Sequence, residues 1–118
     1  MEQRQDAIAE RHRIARRIFD AAVDRAHPRS WLAAHLPPPP PNGRLILLAA
    51  GKAAGSMTAL AEAHYLDTLK LSPDRFIGHA VARHGYETKT RHIPMLAAGH
   101  PVPDEGSIAS ATRALELA

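Results

Sequence analysis

The chain contains no cysteine, which excludes a disulfide framework and any thiolate metal site and says nothing about the compartment. Aromatic residues make up only 4% of its 118 residues against 45% hydrophobic, so alanine and leucine must supply much of a thin core. No apolar run approaches eighteen residues and the N-terminus is charged, which argues against a signal peptide or membrane helix and sets the cytoplasm as the expected location. The eight histidines match no H-E-x-x-H or other ligand spacing, so no metal site is expected. The pI is about 9.8, yet the formal net charge is only +3 and twelve of the fifteen basic residues are arginines spread along the chain. Between Met1 and Ala26 they are interleaved with Glu2, Asp6, Glu10, Asp20 and Asp24. That is a solvated helix face rather than a basic stripe with stacking aromatics, so nucleic acid is not an expected partner.

What the chain does have is a strand feeding a turn. Arg44 to Ala50 form an unbroken apolar run after the arginine, followed at once by Gly51-Lys52-Ala53-Ala54-Gly55-Ser56-Met57. Such a run predicts a parallel strand covered on both faces, with the glycine and lysine where the strand turns into a helix. Open α/β sheets bind ligands at that edge, where unpaired N–H groups and the helix dipole favour an anion. Two named motifs are missing. A Walker loop fails because Ile46 stands at its first glycine and Ala53 at its hydroxyl, and no G-x-G precedes Gly51 to make a dinucleotide fingerprint. A glycine turn and a lysine that merely reaches solvent fit the same residues, and spacing alone leaves both readings open.

The remaining pattern completes an α/β chain with three expected divisions: a helical segment over 1–36, a proline-rich connector over 37–43, and the α/β part over 44–118. Ile8, Ala15, Ile18, Phe19, Ala22, Val23 and Ala26 repeat at helical spacing, predicting an amphipathic helix from Gln5 to Ala26. Five prolines, Pro37 to Pro41, cannot continue a helix and predict a stiff extended spacer. A helix to about Leu71 and a strand over 76–82 make one βαβ unit. A third strand over 93–98 follows too soon for a helical crossover, so it is either reached by a loop or antiparallel. The expected fold is an incomplete Rossmann-like domain, a mostly parallel sheet of about three strands with flanking helices. Its uncovered edges mark the chain as an expected fragment.

A second loop, Gly99-His100-Pro101-Val102-Pro103-Asp104-Glu105-Gly106, again lies between a strand's carboxyl end and a helix's amino end. It carries an imidazole and two carboxylates, while Asp104 or Ser107 can equally serve as the helix cap.

The stretches Leu48–Met57, Val81–Tyr86 and Ala97–Glu105, together with Ile18-Phe19-Asp20-Ala21-Ala22, resemble the N-terminal part of the glycerate 2-kinase family. These are the MOFRL-type glycerate kinases, whose bacterial members also carry the name hydroxypyruvate reductase. The resemblance covers nearly the whole chain, and the Gly-His-Pro-Val-Pro-Asp loop is its most specific element. It implies phosphorylation of D-glycerate to 2-phosphoglycerate with ATP and magnesium, in a cleft shared with a C-terminal domain not present here. Lys52 matches the lysine of the family's Gly-Lys-Ala turn, and His100 and Asp104 match its second loop, making these three the implied catalytic residues. Gly51, Ala53, Gly55, Ser56, Arg83, Gly99 and Glu105 are the candidate substrate- or phosphate-binding positions. The chain differs from the family at Ala82-Arg83-His84-Gly85-Tyr86, where Thr-Arg-Tyr-Gly-His is common, and at Ala98, where glutamate is frequent. The resemblance predicts that the piece alone has little or no activity; a homo-oligomer is left open. Competing expectations are a non-catalytic binding module, a hydroxypyruvate reductase and a histidine metal site.

Overall fold

A computed structural model describes residues 2–118, and they form two compact units divided between Trp31 and Leu32. In the first unit, helix α1 runs Glu2–Ala26, three residues earlier than the periodicity predicts. Its charged face is tied by the Glu10–Arg13 pair and by Arg16 Nε to Asp20 Oδ1 at 3.0 Å. His27 caps the short turn Pro28–Ser30 by accepting from the Arg29 N–H at 3.2 Å. The apolar stripe of α1, including Ile18 and Phe19, is exposed. No helix among the described residues is long and apolar enough to cross a membrane.

The second unit is an α/β fold. Strands β1 (Leu45–Ala50), β2 (Phe76–Arg83) and β3 (Met95–Ala98) lie in the order 1-2-3, all parallel. Helix α2 spans Ala54–Glu62 and continues as a wider π turn over Ala63–Thr68, and α3 spans Glu105–Leu117. The register sets Leu45 beside Phe76 and Ala49 beside Ala80. These residues face α2 in a core that joins Phe76 and Ala80 to Ala61, Tyr65, Leu71 and Ile93. On the opposite face His79 meets Ser110 of α3, as the alternation of a strand requires.

That arrangement corrects one expectation. β1 is covered on one face only: its residues alternate between half-buried and exposed, and Ile46 and Leu48 are 39% and 48% exposed. The reason is that α2 packs on β1 and β2 whereas α3 packs on β2 and β3, leaving the α3 side of the edge strand β1 without a layer. The apolar run reflects an edge strand, not a doubly covered one.

Between the units of secondary structure, two connections carry the geometry. The proline run belongs to the second unit and is strapped along it by its carbonyls. The buried Tyr65 hydroxyl donates to the Pro37 carbonyl at 2.7 Å, and Arg75 donates to those of Pro40 and Gly43 at 2.6 and 2.8 Å. Burial also pushes the Tyr65 phenol above its ordinary pKa. The path from β2 to β3 is a loop without a helix, the first of the two routes the sequence allows, and the strands are parallel. What holds this loop is Glu62, 1% exposed, whose carboxylate accepts the backbone N–H groups of Arg91, His92 and Ile93 at 2.9, 2.8 and 2.7 Å.

Removing that acceptor leaves three partly or fully buried N–H groups without a partner, each costing about 1–3 kcal/mol. Glu62→Ala is therefore expected to destabilise the fold by about 3 kcal/mol or more, read from the urea midpoint. Amide exchange at Arg91, His92 and Ile93 should accelerate in the same variant, and an unchanged midpoint would refute the role given to Glu62.

Candidate functional site

All three strands point their carboxyl ends to one edge, and the first loop there is shaped by Gly51. Its φ of +109° lies in the region that favours glycine. Its N–H donates to the Val81 carbonyl at 3.1 Å, and its carbonyl accepts from Ala54 at 3.1 Å, closing the turn into α2. Lys52 follows, exposed and in no ion pair among the described residues. Ala53 occupies the N-cap of α2 and supplies no side-chain acceptor, so beyond the Ala54 N–H already given to Gly51 no side chain caps the first turn.

Two further candidates in this segment spend their chemistry on the fold. Ser56 donates its hydroxyl to the Ala53 carbonyl at 3.1 Å. Gly55 is buried, and a Cβ there would lie 2.2 Å from Thr88 Oγ1 and 2.6 Å from Thr88 Cβ. Its smallness lets the β2–β3 loop rest on α2.

The second loop is held by Asp104, the N-cap of α3, as one of the two capping alternatives foresees. Oδ1 accepts from the Gly99 N–H at 2.8 Å and from the Ser107 N–H at 3.2 Å, while Ser107 Oγ accepts the Asp104 N–H at 3.2 Å. Oδ2 lies 2.6 Å from His84 Nε2. The His84 hydrogen bond, then the Gly99 N–H, hold this carboxyl well below the usual carboxylate range. Both oxygens are thus committed to joining the end of β2, the start of the loop and the first turn of α3. A Cβ at Gly99 would stand 2.4 Å from the Val102 carbonyl oxygen, so the loop closes on itself only with glycine there.

Arg83 ends β2. Its guanidinium carbon sits 3.4 Å from the centroid of the Tyr86 ring, and its Nε is buried with no hydrogen-bond partner. Between these loops and α3 lies a cleft of about 410 Å³. Gly51, Lys52, Arg83, Gly99 and His100 line it, so the structure brings five of the sequence candidates together. Ala53, Gly55, Ser56, Asp104 and Glu105 lie outside its lining. Its walls are otherwise mostly alanine, leucine and valine from the sheet and α3.

The sequence reading missed His79 and Ser110, which form the polar point in the cleft's apolar wall. Both are buried, with His79 Nε2 2.7 Å from Ser110 Oγ. Burial, then the nearby Arg113 charge, lowers the His79 pKa, keeping the imidazole neutral at pH 7. The available signal was a histidine at the centre of an otherwise apolar strand. Among the described residues no group of three His, Asp or Glu gathers to hold a metal ion.

An open, all-parallel three-stranded sheet with helices packed on its faces and a cleft at its carboxyl edge defines the class as an α/β domain. The chain belongs to the family described as Domain of unknown function (DUF4147), which matches residues 14–118. It is 41% identical over 100 residues to a protein of Agrobacterium vitis named "Putative hydroxypyruvate reductase", the match covering 85% of this chain and 21% of that protein. It is 37% identical over 75 residues to a protein of Pyrococcus horikoshii named "Glycerate 2-kinase", covering 64% of this chain and 15% of that one. The chain thus aligns with 21% and 15% of the length of these two relatives. No solved structure matches it. The resemblance read from the motifs and these relatives agree.

The lowered Asp104 pKa makes a pH prediction. Its folded-state value is below the unfolded one, near 3.9, so the stabilisation is complete above about pH 4 and is lost as pH falls below it. Asp104→Asn retains a good capping residue without the charge. The Tm difference between parent and variant is expected to be largest near neutral pH and to shrink steadily in acid; a difference independent of pH would contradict the charged role.

Proposed function

We propose that this chain forms part of a glycerate 2-kinase, in which the γ-phosphoryl group of ATP passes to D-glycerate to give 2-phosphoglycerate. The observation that carries this reading is the meeting of Lys52, Arg83 and His100 around one cleft at the sheet's carboxyl edge. Phosphoryl transfer asks chiefly for positioning and positive charge around the moving group. Lys52, beside the uncapped start of α2, supplies a full charge and N–H donors for the phosphoryl oxygens. The glycerate 2-hydroxyl oxygen attacks the γ-phosphorus, the bond to the β,γ-bridging oxygen breaks, and ADP leaves. His100, on the lining of the same cleft, takes the hydroxyl proton in this reading. Asp104 acts as a positioning residue, since both of its oxygens hold the loop that carries His100.

The donor set fits the anionic groups of ATP. It does not amount to a metal site: among the described residues no acidic cluster lines the cleft.

The test uses the complete reading frame that encodes these residues, assayed for ADP formation with ATP, magnesium and D-glycerate. Turnover is expected, and Lys52→Ala is expected to lower kcat by about 10²–10³-fold, the usual cost of removing one preorganised charge stabiliser. Normal turnover in Lys52→Ala would remove the lysine from the mechanism. Reduction of hydroxypyruvate with a nicotinamide cofactor, without ADP formation, would replace the kinase reading by the reductase named among the relatives.

A further inference from the structure

We infer that Arg83, held flat by Tyr86, is the anchor for the carboxylate of a small hydroxy acid, and that Tyr86 is its positioning residue. The choice of hydroxy acid rests on the kinase reading; the anchor itself rests on the geometry of the guanidinium.

The Arg83 guanidinium lies 3.4 Å over the Tyr86 ring, which shields one of its faces and leaves its in-plane edges for a ligand. Its Nε is out of water and bonded to nothing in the protein. A buried donor without an acceptor is costly, and a bound acceptor relieves that cost. The planar edge of a guanidinium matches the two oxygens of a carboxylate in a paired hydrogen bond. Arg83 also lines the cleft, whose walls are mostly apolar, so a charge entering there is poorly served by solvent and depends on this partner.

Arg83 ends β2 whereas Lys52 follows β1, and β1 and β2 are adjacent in the sheet. Both line one cleft, and two cationic positions there suit a ligand set with two anionic groups. Lys52, at the start of α2, serves the phosphoryl group, and Arg83 serves the carboxylate. Tyr86 is 58% exposed, so its replacement perturbs the guanidinium without opening the core.

The experiment follows the Arg83 Nε–H resonance in ¹H–¹⁵N spectra of the protein expressed from the complete reading frame, during addition of D-glycerate, glycerol or inorganic phosphate. D-Glycerate is expected to shift it saturably, glycerol to leave it unmoved. Tyr86→Ala is expected to weaken D-glycerate binding about tenfold, the scale of a partly desolvated cation–π contact. Tyr86→Phe should bind like the parent, and Arg83→Lys, titrated calorimetrically with D-glycerate, should lose saturable binding. A resonance that answers phosphate but not D-glycerate overturns the carboxylate assignment. An unmoved resonance with D-glycerate overturns the site, and unchanged affinity in Tyr86→Ala overturns the positioning role. This readout is separable from the kinase assay: saturable D-glycerate binding without ADP formation keeps the anchor and discards phosphoryl transfer.

Discussion

The capture of three consecutive backbone N–H groups by the Glu62 carboxylate is the constraint on which the α/β unit depends. A parallel strand cannot be reached by a tight turn, and the usual solution is a helix. Here the connection from β2 to β3 has no helix to satisfy its own backbone, so a buried side chain from α2 does that work instead. Arg91 adds a pair with Asp67 at 2.7 Å on the exposed side. With residues 91–93 fixed, β3 takes its register beside β2, with Ala98 opposite Arg83. That register carries Gly99 and His100 to the same edge as Gly51 and Lys52. The site is thus positioned by a carboxylate that does not line it.

The cleft follows from an imbalance of layers. α2 closes one face of β1 and β2, α3 closes part of the other, and the gap beside α3 is bounded by the ends of all three strands. Its walls are small apolar side chains, while its charged groups stand at the strand ends. Asp104 ties the end of β2, through His84, to the second loop, through the Gly99 N–H.

The strand, glycine turn and helix from Leu45 to Glu62 were legible because their signal is local: an apolar run, then a residue suited to positive φ. The α3 start was legible for the same reason, since an aspartate three residues before a serine matches a capping pair. The coverage of β1 was not. An apolar run has the same appearance whether both faces are packed or one is bare, and only the placement of α3 decides. Glu62 was hidden because a glutamate on a helix reads as a solvated charge, and nothing local shows the loop, twenty-nine residues on, that buries it. Arg83 could be named from its position at a strand end, but its stacking on Tyr86 depends on the turn through Gly85, whose φ is +80°.

The strap formed by Pro37 to Pro41 has a consequence for how the protein can be observed. Five successive residues there lack an N–H group, so the segment can be held only through its carbonyls, as the Tyr65 hydroxyl and Arg75 guanidinium hold it. For the same reason it contributes no amide signal to exchange or correlation spectra. The loosening of this strap would be silent in the backbone and visible only at its two holders, the phenol and the guanidinium.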